Sequence, residues 1–366
     1  EPLPPLRHDI TLDDVLPEGY VGRFVQSGTA ALALALMLAK QLSDGKRKRV
    51  LLPAYGCPDL VAAVLYVGLT PELIDTARDS PFLCHEHLAE RLADDVVAVV
   101  GAHFLGFAED IGSLRTLCEP HGVTVIEDSA QRLPGAGGRA PVADLVTMSF
   151  GRGKPAGGLG GGLLLLRAEM AEAGAEWLNG IGRAGLYPLI DVKRRLFNFS
   201  LQRIPYGLVS RLPFLRVGQT RYCPLANIRG LDPARIQLAL SSWSHSYHRK
   251  SKIGWVSRWV ESCDQLQALS LPVSEDQELL IATRYPALYR APRSRDALSN
   301  HLDTVKSGIT RMYGQALPDV ADMGEIVADR LTRARDFAAR LVTFPAHSGL
   351  NEAAIERIRL LISRMS

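Results

Sequence analysis

Residues 123–166, VTVIEDSAQRLPGAGGRAPVADLVTMSFGRGKPAGGLGGGLLLL, constrain this chain more than any other stretch. An apolar run at 123–126 ends in two carboxylates, Glu127 and Asp128. A glycine-rich passage leads to a second apolar run ending at Ser149 and Phe150, and Lys154 then stands among glycines ahead of a third run at 163–166. Short apolar runs bounded by glycine and polar residues read as strands buried on both faces. The same pattern precedes them, with strands expected at 49–53, 70–75 and 94–100 and helices at 58–67 and 110–121, the latter stopped by Gly122. Strands alternating with helices over about 150 residues predict a mostly parallel α/β sheet covered by helices on both faces. In such sheets ligands sit beyond the carboxyl ends of the strands.

At 366 residues the chain has room for more than one domain. Residues 1–22 read as an N-terminal arm, 23–240 as a large α/β domain, and 241–366 as a smaller C-terminal α+β domain. Within the last, strands are expected at 283–290 and 341–345, and helices at 245–266, 294–308 and 351–365. A helix is also expected at 231–242, with Pro233 in its first turn. Apolar residues at 47% and charged residues at 22% are ordinary globular values. A net charge of +3, from 42 basic and 39 acidic residues, gives no reason to expect nucleic acid. The five cysteines include no CxxC pair, which points away from a zinc site or a disulfide framework and toward a reducing, cytoplasmic setting. No apolar run approaches the roughly 18–20 residues of a membrane span. The opening EPLPPLRHDITLDD is polar and proline-rich, unlike a signal peptide.

Residues 175–225 break the pattern. They are apolar and aromatic, interrupted by prolines, and carry recurrent arginine and lysine. The preferred reading is an irregular insertion packed by its own side chains. The sharper one is a basic amphipathic segment that touches a phosphorylated substrate, a partner subunit or a membrane surface.

The chemistry comes from three places. Lys154, among glycines after a buried strand, is placed to form an imine with a carbonyl. Asp128 ends the preceding strand. Upstream, Ser27-Gly28-Thr29 opens the run AALALALMLAKQL, a buried helix whose free N–H groups favour an anion. Pyridoxal 5′-phosphate (PLP) requires an imine-forming lysine, a carboxylate against its pyridine nitrogen and a phosphate anchor. Each feature alone has an ordinary structural explanation; the constellation in this order is far more specific.

These motifs resemble the DegT/StrS family of fold type I PLP-dependent sugar-nucleotide aminotransferases, over nearly the whole chain. Ser27-Gly28-Thr29-Ala30-Ala31 is similar to the family's phosphate-binding helix start, and Pro53-Ala54-Tyr55 to the loop after its second strand. His103-Phe104-Leu105-Gly106 resembles its HxxG segment. Ile126-Glu127-Asp128-Ser129-Ala130-Gln131 resembles IEDxAQ, and Ser149-Phe150 with Lys154 resembles SFxxxK. Asn227-Ile228-Arg229 and Phe344-Pro345-Ala346-His347-Ser348-Gly349-Leu350 add weaker matches. The resemblance implies a seven-stranded-type, mostly parallel sheet. It implies Lys154 as the cofactor-bound lysine, Asp128 on the pyridine nitrogen, Gln131 near the ring, Ser149 on the phosphate and Tyr55 beside the cofactor. It also implies a homodimer in which Asn227 reaches the neighbouring subunit's cofactor. The implied reaction moves an amino group from an amino acid, glutamate in the family, to a keto sugar on a nucleotide. Related dehydratases carry histidine in place of the lysine, so Lys154 favours transamination.

The chain departs from the family in places. Cys57 stands where an aromatic residue often stacks on the cofactor ring, GGLGGG replaces the common GEGG after the lysine, and Gly230 follows Arg229. Two alternatives remain open at this point: PLP-dependent amino transfer to an acceptor other than a nucleotide sugar, and a non-catalytic PLP-binding regulatory protein.

Overall fold

The computed structural model describes residues 1–43, 45–135, 141–174, 180–182, 184–185, 187–202, 220–249, 251–272, 281–291 and 308–363. The chain opens on β1 (Tyr20–Val25) and α1 (Gly28–Leu42), then alternates β2 (Arg49–Pro53), α2 (Asp59–Tyr66), β3 (Thr70–Ile74), α3 (His85–Arg91), β4 (Val96–Ala102), α4 (Ile111–Cys118) and β5 (Thr124–Asp128). Next come β6 (Leu145–Ser149), β7 (Gly162–Arg167), α5 (Ile190–Ser200), α6 (Pro233–Ser246) and α7 (Ile253–Glu261). The chain continues through β8 (Leu266–Gln267), β9 (Arg284–Tyr289), β10 (Val327–Ala328), α8 (Thr332–Arg340), β11 (Leu341–Pro345) and α9 (Glu352–Ser363).

Among the described residues, eight strands form the large sheet in the order β1-β7-β6-β5-β4-β2-β3-β10. The pairings from β6 through β10 are parallel, while β7 runs antiparallel between β6 and β1. The eighth member, β10, contributes only two residues at the edge, so the body of the sheet is the expected mostly parallel seven-stranded type. A smaller antiparallel sheet, β11-β9-β8, is built from the C-terminal part of the chain.

The strands of the parallel region are nearly all apolar because helices cover both faces. Helix α1 is the clearest case: Ala30, Ala31, Leu32, Ala33, Leu34, Ala35, Leu36, Leu38 and Ala39 are all buried. Its alanines let the helix lie close to the sheet, and a helix apolar on every side is stable only inside. The order of the strands reverses direction at β2, since β3 is added on one side and β4 on the other. This is the switch point where the loops leaving adjacent strands diverge and open a crevice. Tyr55 after β2, His103 after β4, Asp128 at the end of β5 and Ser149 at the end of β6 all lie at that end of the sheet.

One expectation is corrected. Residues 245–266 do not form one long helix: α6 ends at Ser246, α7 begins at Ile253, and β8 follows. Tertiary bonds outweigh the local pattern. The indole N–H of Trp243 donates to the Tyr247 hydroxyl at 2.9 Å, and that hydroxyl donates to the Pro134 carbonyl. A few residues on, the Ser251 hydroxyl donates to the Ala282 carbonyl at 3.1 Å, and the Lys252 N–H to that of Ala346 at 2.8 Å. The chain is thus tied to the large sheet's loops at one point and to the small sheet at the next. The helix expected at 294–308 lies outside the described residues except for Gly308.

Candidate active site

The C-terminal ends of β2, β4, β5 and β6, together with α1 and α2, line one cavity. Its lining includes Gly28, Thr29, Tyr55, Cys57, Asp128, Gln131, Ser149 and Lys154, so most of the sequence-derived candidates meet in one place.

Lys154 sits on a loop closed at its base. Phe150 N–H donates to Gly161 O and Gly158 N–H to Phe150 O, each at 2.9 Å, which brings the start and end of the glycine run together. The next residue is gripped from behind: the Pro155 carbonyl accepts from Ser246 Oγ at 2.9 Å and from Arg249 Nη1 at 3.0 Å. The glycines after Lys154 therefore have a steric reason. A Cβ on Gly162 would fall 2.1 Å from the Ser27 carbonyl oxygen, and one on Gly158 3.0 Å from that of Phe150.

Neighbouring residues of a strand face opposite ways, and this separates the two acids ending β5. Glu127 turns into the protein and Asp128 lines the cavity. His103 accepts from the Glu109 N–H at Nδ1 (3.0 Å), which leaves the proton on Nε2 facing Glu127 Oε1 at 3.1 Å. Desolvation alone would raise the Glu127 carboxyl, but hydrogen bonds from His103 and Ser129 outweigh it and hold the group below its ordinary value. For Asp128 the balance is reversed. Burial raises it, opposed by the Ala130 N–H at 2.9 Å and by the charge of Lys154. Its second oxygen has no hydrogen bond among the described residues.

At the other end of the cavity, Ser27 caps α1: its Oγ accepts from the Ala30 N–H at 3.1 Å. Ser27 is not among the lining residues. Gly28 and Thr29 are, and they bring the donor-rich start of the helix to the cavity. A Cβ on Gly28 would lie 2.7 Å from Ser149 Cβ, so the helix start and Ser149 are in direct contact. The two phosphate-anchor candidates thus form one cradle.

The remaining candidates have definite places. The Tyr55 hydroxyl donates to the Met312 carbonyl, and its ring packs at 4.8 Å from Phe337 in an edge-on arrangement. Cys57 faces the cavity, with its thiol pushed up to about 12 by burial, so it is neutral at physiological pH. Gln131 uses both ends of its amide: Oε1 accepts from the Leu105 N–H at 3.1 Å, and Nε2 donates to the Tyr313 hydroxyl. Asn227 is exposed, does not line the cavity of its own chain, and accepts from Gln26 Nε2 at its carbonyl.

Tyr313, Asp59, Ala130 and His103 line the cavity as well, and the sequence alone assigns none of them a role there. Ala130 and His103 lay within motifs already quoted, and their neighbours were the only signal. Tyr313 had none, because it is carried in from a segment far along the chain from the strand ends that form the rest of the cavity.

The residues present fit PLP. A desolvated carboxylate whose second oxygen has no hydrogen bond among the described residues suits a protonated ring nitrogen, the Gly28–Ser149 cradle suits a phosphate, and Lys154 is in the same cavity. The class this fold and cavity define is the fold type I PLP-dependent aminotransferases. Residues 23–188, which carry Lys154 and Asp128, match the model of the DegT/DnrJ/EryC1/StrS aminotransferase family. Among solved structures, the chain is similar to DesV of S. venezuelae, with 22% identity, a TM-score of 0.68, and coverage of 94% of this chain and 84% of that one. It is similar to Helicobacter pylori PseC, an aminotransferase involved in the biosynthesis of pseudoaminic acid, at 16% identity and a TM-score of 0.68, covering 94% and 86%. It is also similar to a 3-amino-5-hydroxybenzoic acid synthase at 17% identity and a TM-score of 0.66, covering 94% and 86%. At these identities the likeness is one of fold. No helix among the described residues is long and apolar enough to cross a membrane.

Proposed function

We propose that this chain transfers an amino group from an amino acid, with glutamate as donor, to a keto sugar carried on a nucleotide, as a cytoplasmic homodimer. The observation that carries the reading is the meeting of Lys154, Asp128 and the Gly28–Ser149 cradle in one cavity. PLP, when bound, supplies an electron sink that lets a proton leave the carbon bearing the amino group. Lys154 Nζ is the only amine lining the cavity among the described residues; as general base it takes that proton from the donor's α-carbon and as general acid gives it back within the same half of the reaction, and in the second half it runs the same transfer in reverse to deliver a proton to the acceptor carbon. Asp128 keeps a positive charge on the ring nitrogen, a fixed electrostatic contribution made in a desolvated place. Gly28, Thr29 and Ser149 hold the phosphate, and Tyr55, Phe104 and Tyr313 keep water from the reacting atoms.

The homodimer is supported by position rather than contact. Asn227 is exposed and does not line its own chain's cavity, as fits a residue serving a second copy. Around α5, Leu189, Val192, Leu196 and Phe199 are exposed apolar residues in the same region of sequence. The large and small domains assigned from the sequence, divided near residue 240, remain part of this proposal.

The test is incubation of the purified protein with glutamate and a panel of keto compounds, nucleotide-linked and not, with products identified by mass spectrometry. The expected result is an aminated nucleotide sugar in the wild type and none with Lys154→Ala. Amination confined to acceptors that carry no nucleotide would overturn the acceptor assignment. A Lys154→Ala protein that turned over glutamate at the wild-type rate would overturn the role of the lysine.

A further inference from the structure

We propose that Tyr313 is the aromatic positioning residue of this site, its ring walling the cofactor's pyridine ring where Cys57 provides no aromatic side chain. The inference rests on the placement of PLP between Lys154 and Asp128. Tyr313 lines the same cavity as Cys57, Asp128, Ala130 and Lys154, yet comes from the C-terminal part of the chain. Its segment is fastened to the large sheet's loops at two points: the Tyr55 hydroxyl donates to Met312 O, and Leu317 N–H donates to Ala54 O at 2.9 Å. The Thr310–Thr343 bridge ties it to the small sheet from the other side.

The ring itself is held in place. Gln131 Nε2 donates to its hydroxyl while Gln131 Oε1 takes the Leu105 N–H, so one side chain clasps Tyr313 to the turn after β4. The rings of Tyr55 and Phe104 stand 5.7 and 6.3 Å away, inclined at 65° and 49°, and neither lies flat on it. Tyr313 lines the cavity, where a planar ligand can take the offset stack that aromatic rings favour. The backbone supports the same conclusion. Tyr313 has φ +62°, in the left-handed region, beside Gly314 at φ +75°. A bulky residue is costly in that conformation and glycine is not, so a chain that needed only the turn has no reason to put tyrosine there. The strain is accepted because the side chain is required.

The experiment titrates PLP into the wild type, Tyr313→Phe, Tyr313→Leu and the double variant Tyr313→Leu/Cys57→Phe, following cofactor absorbance and its induced circular dichroism, with thermal melting as a check on folding. Wild-type binding is the prior condition; its failure would refute the cofactor placement itself rather than the role of Tyr313. Stacking of this kind gives about a tenfold change in affinity. The expected results are an about tenfold weaker Kd and a diminished dichroic band for Tyr313→Leu, retention of both by Tyr313→Phe, and recovery in the double variant. A folded Tyr313→Leu protein with wild-type Kd and dichroism would overturn the proposal. So would a Tyr313→Phe protein as weak as Tyr313→Leu, because the hydroxyl clasp and not the ring would then be what counts.

Discussion

Replacing Gly162 by alanine adds one methyl group at the point where β7 passes the start of α1. The new Cβ would stand 2.1 Å from Ser27 O, 2.4 Å from Ser27 C and 2.7 Å from Gly28 N. All three are backbone atoms, so no rotamer change can relieve the contact. Real Cβ atoms essentially never approach closer than 3.0 Å, so β7 and the helix start must separate by at least 0.9 Å. Overpacking of this kind costs about 1–3 kcal/mol where side chains can adjust; with backbone on both sides the expected loss is about 3 kcal/mol or more. The same displacement pulls Gly28 away from Ser149 and opens the phosphate cradle, so PLP affinity falls together with stability. Urea unfolding and PLP titration of one preparation measure both. Gly160→Ala is the control: Gly160 has φ +96° but its nearest neighbour is the Arg235 guanidinium at 3.7 Å, so alanine there meets strain without a clash. About 1–2 kcal/mol of destabilisation is expected, with the cradle intact. A Gly162→Ala protein that unfolds and binds PLP as the wild type does would refute the steric account of the glycine run.

Two further outcomes are expected. Asp128→Asn should weaken PLP binding and lower the transamination rate by about 10²-fold or more, because the ring nitrogen loses its ionic partner in a desolvated place; a rate within a few-fold of wild type would remove Asp128 from that role. Burial pushes Glu109 up from its ordinary 4.5 to about 8, while the Leu83 and Asp110 N–H groups oppose the shift. For an acid whose folded value is raised, the folded state holds the extra proton, so stability is full below 4.5 and declines as pH rises through about 8. The limit is roughly 5 kcal/mol, at about 1.4 kcal/mol per unit. Glu109→Gln should flatten the decline between pH 5.5 and 8.5 in urea unfolding, and an unchanged slope would assign it to other groups.

The parallel core was legible because each of its strands is buried on both faces and therefore nearly uniform in sequence. The run at 49–53 needed no neighbour to identify it, and α1 announced itself by a serine cap followed by alanine and leucine. Strand β1, YVGRFV, was not read because it is an edge strand with mixed burial, and Gly22 and Arg23 interrupt its apolar pattern. The two residues of β10 are exposed and acquire a strand conformation only by lying against β3. The site divides along the same line. Asp128 and Lys154 were visible because short motifs at strand ends carry them. Ser27 was visible too, but its hydroxyl is spent on the helix cap. Tyr313 was invisible because its position depends on the meeting of segments nearly two hundred residues apart, as the Gln131–Tyr313 separation of 182 shows.

The grip on Pro155 bears on how the protein cycles. In the proposed reaction Lys154 lets go of the cofactor and takes hold of it again at every turnover; doing so by moving its loop would tie each cycle to a slow search among backbone conformations. Here the main chain beside Lys154 is fastened by Ser246 and Arg249 from α6 and the residues after it, and the loop is closed between Phe150 and Gly161. The motion that breaks none of these bonds is rotation about the bonds of its own side chain, on a scale of picoseconds to nanoseconds rather than the longer times of loops. The amine swings on a fixed pivot, and each return finds the same address.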